Sequence, residues 1–183
     1  MKRILFSLYL SLIAILTFAT DGFTVADVFT DHMVLQRNAI IKIWGEAQNG
    51  SLVEVRFAGQ LQKVKAIQGK WQVTLKTGEA GGPYKLEVIN GNNKVSFQDV
   101  LIGDVWLAGG QSNMEFALRR VKDAQTEISL ADYPQIRYYK VPRKFYPEQE
   151  VSKASWRVCS PQTAPEFSAI AYYFSRNIHK ELN

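Results

Sequence analysis

Ser112 is the residue of this chain whose setting best suits covalent chemistry. It follows a short apolar run, Val105–Ala108, and two glycines, Gly109 and Gly110, that allow a sharp turn; residues with helical spacing come after it. At such a strand–turn–helix elbow the hydroxyl is lifted off the sheet, and free N–H groups point at any oxyanion formed there. The pattern therefore fits a serine nucleophile that attacks a carbonyl.

The same serine also fits a structural role. Ser112-x-x-Glu115 has the spacing of a capping box, in which serine accepts a hydrogen bond from the third helical amide and glutamate reaches back. Helix caps are far commoner than active sites, so the spacing alone favours the cap. Both interpretations stay open at this level.

A serine nucleophile needs a base, and the sequence offers two histidines. His32 lies in a stretch with strand-like patterning. His179 lies beside Lys180 near the end of a predicted helix, where a cation is favourable and a solvated side chain is expected. We assign neither histidine as the base.

The elements before Ser112 are predicted to be strands. Apolar and polar residues alternate over 24–102, and glycine-rich turns such as Gln68-Gly69-Lys70 separate the runs with no helical segment between them. This pattern predicts an antiparallel β-sandwich over residues 20–101. Trp44 and Trp71 could stack on a sugar ring if exposed, although packing in the core is the commoner role of tryptophan.

After this region the pattern alternates between strand and helix. It predicts a buried strand at 105–108, a helix at 115–130, a strand at 136–141 and a last helix from 167 to the end. This order is typical of an α/β sandwich with a largely parallel sheet, over residues 102–183. The apolar stripe of the last helix comprises Phe167, Ile170, Ala171, Phe174, Ile178 and Leu182.

Composition and charge limit the classes of function. The 183 residues are 46% hydrophobic and 21% charged, which is the balance of a globular protein. The net charge of +5 is scattered, so no nucleic-acid-binding run is predicted. No cluster of His, Cys or Asp has metal-ligand spacing, and no cofactor is expected. Cys159 is the only cysteine of the sequence and suits a small buried hydrophobe.

Residues 1–19 have the pattern of a secretory signal peptide. Lys2-Arg3 is the positive region, residues 4–18 are largely apolar, and Thr17-Phe18-Ala19 places small residues at the cleavage positions. The apolar run is shorter than the ~20 residues that span a bilayer, which favours cleavage over a retained anchor. The prediction is a secreted or periplasmic protein with no stable membrane anchor.

One longer motif surrounds Ser112, and others lie in the β-region. Gly103-Asp104-Val105-Trp106 runs into Gly110-Gln111-Ser112-Asn113-Met114-Glu115, and Asp31-His32-Met33-Val34-Leu35-Gln36-Arg37 and Gly69-Lys70-Trp71 precede them. Together these motifs resemble the sialate O-acetylesterase family, which are carbohydrate esterases with an SGNH-hydrolase-type domain. The resemblance covers nearly all of the chain after residue 19.

The resemblance implies roles for individual residues. Ser112 would be the nucleophile and a backbone oxyanion donor, while Gly109, Gly110, Gln111 and Asn113 would shape the elbow. In the family a catalytic histidine, with an aspartate three residues before it, and further oxyanion donors lie later in the domain. No match to them occurs in this sequence. We therefore expect an N-terminal fragment, inactive by itself, in which residues 102–183 are the truncated start of an SGNH-like α/β/α sandwich.

The expected function is removal of acetyl groups from sialic acid or related sugars, with an acetylated sugar or glycan as the partner. An acetylxylan-type polysaccharide esterase would use the same elbow. A third hypothesis, of another class, is a secreted sugar-binding β-sandwich in which Ser112 is only a cap.

Overall fold

The computed structural model describes residues 22–142 and 154–182. The predicted signal peptide, residues 1–19, lies outside the described residues. Within them the chain is mostly β-strand with few helices, which confirms the β-rich character predicted from sequence. The strands are β1 (Thr24–Val25), β2 (Val34–Gln36), β3 (Ile40–Glu46), β4 (Leu52–Phe57), β5 (Gln60–Lys65), β6 (Lys70–Lys76), β7 (Gly81–Asn90), β8 (Asn93–Gly103), β9 (Tyr133–Tyr139) and β10 (Trp156–Cys159).

Helical segments occur only after β8 in the described ranges. They are α1 (Ala124–Ser129), α2 (Ala169–Leu182) and two 3-10 helices, Leu118–Arg120 and Ala164–Glu166. The predicted hairpin turn at Gln68-Gly69-Lys70 is confirmed, because Gly69 has φ 78° and Ile67 bridges to Lys70.

Strands β1 to β8 form two sheets. The smaller has the order β1-β3-β6 and the larger the order β2-β8-β7-β4-β5. Their pairs are antiparallel except β2 and β8, which run parallel, so the expectation of a wholly antiparallel region is wrong at this pair. Strands β3 to β7 separate β2 from β8 in the chain, and this long connection permits the parallel pairing.

Alternation along the strands places one face of each sheet in a shared core. In β4, for example, Val53, Val55 and Phe57 are buried while their neighbours are more exposed, as a period of two requires. Buried residues of both sheets belong to one cluster: Phe29, Met33, Leu35, Ile43, Ala47, Val53, Val55, Phe57, Ala66, Trp71, Val73, Leu75, Leu86, Val88, Phe97, Val100 and Ile102.

Trp71 is part of this core and is only 2% exposed. Its indole N–H donates to the carbonyls of Thr24 and Glu46, each at 3.2 Å. Gly45 lies against it, because a Cβ there would come within 2.0 Å of the Thr24 oxygen and 2.9 Å of the Trp71 ring. The sugar-stacking interpretation is therefore wrong for Trp71, whereas Trp44 is exposed.

A second cluster of buried residues follows β8. Strand β9 confirms the strand predicted at 136–141 in all but its bounds, and it pairs with β10. The pair is antiparallel, so the described residues contain no parallel sheet after residue 103, contrary to the prediction. The buried members of the second cluster are Leu118, Ala131, Ile136, Tyr138, Cys159, Ala164, Phe167, Ala169 and Tyr172.

Helix α2 confirms the predicted last helix, but its buried face is not the predicted one. Ala169 and Tyr172 face the second cluster, whereas Ile170, Phe174 and Leu182 of the predicted stripe are exposed. Large aromatic contacts decide the orientation, because the Tyr172 ring packs among Phe167, Tyr133 and Tyr173. Three residues of the predicted stripe, Ile170, Phe174 and Leu182, are therefore on the surface, whereas Phe167 is buried and Ala171 packs against the second cluster.

Candidate active site

The segment that carries Ser112 leaves the end of β8 and is held there by β2. The amide of Val105 donates to the Gln36 side-chain oxygen at 2.8 Å, and Arg37 Nε donates to Asp104 at 3.0 Å. The Arg37 amide also donates to the Gly103 carbonyl at 2.8 Å. Sequence reasoning missed Gln36 and Arg37 as positioning residues, although both stand in a motif that the resemblance singled out.

Residues 105–108 are not a strand, and the prediction of a buried strand there is wrong. Trp106 is 62% exposed and Leu107 is 92% exposed. An apolar run becomes a strand only where another strand can satisfy its backbone, and no strand of the described residues pairs with this segment. The segment therefore reaches Ser112 as irregular, exposed chain.

Ser112 lies in a tight turn. The Gln111 carbonyl accepts hydrogen bonds from the amides of Met114 at 2.9 Å and Glu115 at 3.2 Å. A capping box would instead require the Glu115 amide to bond to the Ser112 hydroxyl, and no helix begins at this turn. The cap interpretation of Ser112 is therefore wrong.

The predicted helix at 115–130 is replaced by the 3-10 helix Leu118–Arg120 and by α1. Ala117 has extended dihedrals, φ −73° and ψ 148°, because the chain here bridges to the start of α2. The amide of Leu118 donates to the Phe167 carbonyl, and that of Ala169 to the Phe116 carbonyl, both at 2.8 Å. This pairing interrupts the helix and fixes where the turn ends.

Side chains on both sides of the turn also contact α2. The Ser168 hydroxyl lies 3.4 Å from Met114 Sδ and accepts the Ala171 amide at 3.4 Å, so Ser168 caps the helix. The Trp106 ring packs edge-on against Phe174, with 5.2 Å between centroids. The turn with Ser112 is thus fixed between the end of β8 and the first turns of α2.

The two glycines contribute less than predicted. Neither Gly109 nor Gly110 has the positive φ that a left-handed turn would need. A Cβ at Gly109 would meet open space, whereas one at Gly110 would lie 3.1 Å from the Met114 Cβ. Of the two positions, only Gly110 would therefore be crowded by a larger residue.

Ser112, Gln111 and Asn113 are all exposed. Among the hydrogen bonds of the described residues, none uses the amide of Ser112 or Asn113 as donor, and none engages the Ser112 hydroxyl. The arrangement offers an accessible hydroxyl beside amides that are free to hold an oxyanion.

Neither histidine acts on this serine in the described structure. His32 Nδ1 lies 2.7 Å from Asp99 Oδ2. His179 is half-buried, and its ring meets Tyr133 edge-on at 6.0 Å, so the expectation of a solvated side chain is wrong.

The described ranges contain no group of three or more His, Cys, Asp or Glu side chains arranged to hold a metal ion. In the same residues no helix has the length and apolar character required to cross a bilayer.

His32 belongs to a polar cluster that joins the two groups of buried residues. Arg137 of β9 is 5% exposed in its side chain and binds Asp99 of β8 through Nη1 at 2.6 Å. The Arg137 guanidinium, with help from His32, holds the pKa of the Asp99 carboxyl below its usual value against the effect of partial burial. His32 and Asp99 both have positive φ, at 66° and 53°, so the cluster also fixes strained backbone.

Cys159 is buried, and burial raises the pKa of its thiol to about 11. We predict that it will not react with 5,5′-dithiobis(2-nitrobenzoate) at pH 7.5 in the folded protein and will react completely in guanidinium chloride. Absorbance of the released thiolate measures both. Rapid reaction of the native protein would contradict the buried position.

Comparisons with known proteins find similarity to carbohydrate esterases. Sialate O-acetylesterases from Homo sapiens, Rattus norvegicus and Mus musculus are 35%, 36% and 33% identical to it over 133, 135 and 133 residues. The chain is related to the sialate O-acetylesterases. This relationship confirms the predicted resemblance. The alignments cover 66% of this chain and 24 or 25% of each relative, so the chain spans about a quarter of the length of these sialate O-acetylesterases.

A solved structure gives the same relationship. The crystal structure of a carbohydrate acetylesterase from Xanthomonas citri superposes with a TM-score of 0.81 and 35% identity, over 86% of this chain and 37% of that one. The fold described above is therefore that of a portion of a carbohydrate acetylesterase. No family model matches the sequence.

Proposed function

We propose that this chain is part of a carbohydrate O-acetylesterase that removes acetyl groups from sialic acid or a related sugar, with Ser112 as nucleophile. One observation carries the proposal: Ser112 stands exposed in a turn with unengaged amides, in a chain related to sialate O-acetylesterases. The absence of a helix start at Ser112 supports it further, because the competing structural role is gone.

In the proposed mechanism a general base removes the Ser112 proton while Oγ attacks the acetyl carbonyl. The Ser112 amide donates to the oxyanion, and the sugar leaves with the returned proton. Water then hydrolyses the acyl-serine and releases acetate. Gln111 and Asn113 keep the turn in shape. The base and the remaining donors come, in this proposal, from polypeptide outside the 183 residues, and the chain by itself is inactive.

The finer architecture is part of the proposal. Residues 20–101 form a β-sandwich, and residues 102–183 belong to an SGNH-like α/β/α domain. The two separate clusters of buried residues, which divide near Gly103, support this division. The exposed apolar side chains of Trp106 and Leu107, and of Ile170, Phe174 and Leu182 on α2, support the second half of it. Such a surface is expected where further strands and helices pack.

The predicted signal peptide leads to a proposal about location. We propose that the protein is secreted or periplasmic, where acetylated glycans are accessible. Amino-terminal sequencing of the exported protein tests this proposal, and a mature chain that still begins at Met1 would contradict it.

Substrate choice decides between the two esterase hypotheses. We predict that a protein containing this sequence releases acetate at least ~10-fold faster from O-acetylated sialosides than from acetylated xylan at equal acetyl concentration, since productive contacts to the correct sugar lower the barrier. Enzymatic quantification of acetate measures both rates. Faster release from xylan would favour the acetylxylan alternative, and release from neither would contradict esterase function.

A further inference from the structure

The outward face of the small sheet β1-β3-β6 has no known role in the esterase. Alternation along β3 and β6 turns every second side chain outward, and the register sets Trp44 opposite Gln72 and Lys42 opposite Thr74. We call this surface the Trp44 face. Its eight residues, all exposed, are Ile40, Lys42, Trp44, Glu46, Lys70, Gln72, Thr74 and Lys76.

Trp44 is the aromatic residue of this face, and its ring is both accessible and held. The residue is 43% exposed. Phe29, which is buried in the core, packs against it at 77° with 4.8 Å between centroids. An indole that is already fixed loses little conformational entropy when a ligand stacks on it. Stacking would remove water from the apolar ring and from an apolar sugar face together.

The charges around Trp44 are predominantly positive. Lys42 lies two residues away on the same strand, about 7 Å along it. Lys70 is a diagonal neighbour across the strand pair, roughly 7–8 Å distant. Within the described residues, neither lysine forms an ion pair, and Glu46 is the one acidic residue of the Trp44 face.

Lysines of the larger sheet are different. Lys63 pairs with Glu54, and Lys85 and Lys94 both pair with Glu87, each at 2.7 Å. Each of these three lysines therefore has a carboxylate within ion-pair distance, although Lys85 and Lys94 share Glu87, and Glu54 also pairs with Arg56. On the Trp44 face, Glu46 stands opposite Lys70, whereas Lys42 stands opposite the uncharged Thr74. A lysine without an ion pair beside an accessible indole fits a ligand that brings its own carboxylate.

We propose that the Trp44 face binds an anionic glycan, a pyranose that stacks on the Trp44 ring and carries a carboxylate to Lys42 or Lys70. Gln72, opposite the indole, supplies an amide for the sugar hydroxyls. This site is separate from Ser112 and requires no hydrolysis. It therefore goes beyond the proposed esterase function, and it would retain acidic glycans on the protein.

Binding of sialyllactose to the protein tests the proposal, with lactose as the neutral probe. Indole fluorescence and saturation-transfer NMR measure the dissociation constant at low and raised salt. We expect sialyllactose to bind at least ~10-fold more tightly than lactose, with the difference reduced by salt. Trp44→Ala should weaken sialyllactose binding at least ~10-fold, and Trp44→Phe should restore most of it. Leu61→Ala, an equally exposed apolar position on β5, should leave it unchanged.

Lys63, on the larger sheet, is the matched control for Lys42 and Lys70. Lys42→Gln with Lys70→Gln should abolish the preference for the acidic sugar, whereas Lys63→Gln should keep it. Ser112→Ala should bind as the unmodified protein does, which separates this proposal from the esterase proposal. Equal affinity for both sugars, unchanged binding in Trp44→Ala, or loss of binding in Ser112→Ala would each overturn it. Self-association that depends on Trp44 and excludes sialyllactose, seen by sedimentation, would assign the face to a second copy of the chain instead.

Discussion

Ser112→Ala will lower acetyl-ester hydrolysis by at least ~10³-fold in a protein that contains this sequence, because no acyl intermediate can form without the hydroxyl. The backbone turn depends on the Gln111 carbonyl and the bridge to α2, not on the serine side chain, so the fold should be retained. The fall should appear in kcat, with KM little changed. Acetate release from 4-nitrophenyl acetate and from an O-acetylated sialoside measures it.

The matched control is Ser129→Ala. Ser129 is also exposed, and its hydroxyl only donates to the Thr126 carbonyl within α1. This variant should hydrolyse at the unmodified rate. If Ser112→Ala retains more than a tenth of the activity, Ser112 is not the nucleophile. If both variants lose activity equally, the loss reflects folding, which circular dichroism would reveal.

Asp99→Asn will lower the free energy of unfolding by about 3 kcal/mol at pH 7, because it leaves the buried Arg137 guanidinium without a counter-charge. Asparagine tolerates the positive φ of Asp99 and keeps a carbonyl oxygen, so the substitution mainly tests the charge. Chemical denaturation followed by fluorescence measures the loss. Asp123→Asn is the control: Asp123 is exposed and its side chain caps no amide, so little change is expected.

The same carboxyl predicts a pH dependence. Its pKa in the folded protein lies below its ordinary value of 3.8, so the folded state binds its proton less readily than the unfolded chain. The stability it contributes is therefore complete above about pH 4 and is lost as the pH falls through the folded-state pKa. Asp99→Asn should flatten this part of the curve. An identical acid profile in both proteins would show that Asp99 contributes nothing.

The β-region could be predicted because its signals are local. Alternation of apolar and polar residues predicts β4 and β6 directly. The turn between β5 and β6 is predicted from Gly69, which adopts a positive φ there. The parallel pairing of β2 with β8 could not be predicted, because nothing local records which distant strand completes a sheet. Strand β9 has a comparable local signal, and the sequence pattern predicts it.

Errors after residue 103 have one physical cause: tertiary contacts override local preference. The apolar residues of 115–130 do have helical spacing. However, the Leu118 amide donates to the Phe167 carbonyl and the Ala169 amide to the Phe116 carbonyl, and these hydrogen bonds hold the chain extended at Ala117. The 105–108 run is apolar yet has no partner strand among the described residues. At the site itself, the position of Ser112 in an accessible turn could be predicted. The anchoring by Gln36 and Arg37 could not, since it joins residues nearly seventy positions apart in sequence, for example Arg37 to Asp104, which are separated by 67.

The bridge between the turn and the start of α2 has a consequence for the order of assembly. Met114 and Ser168 are 54 positions apart, whereas hairpins such as β7–β8 close over a few residues. Closing the longer loop has a larger entropic cost and comes later in folding. The surroundings of Ser112 therefore form after hairpins such as β7–β8 and can open without them. A population with intact sheets and an open turn would be folded by most spectroscopic criteria and still lack a positioned serine.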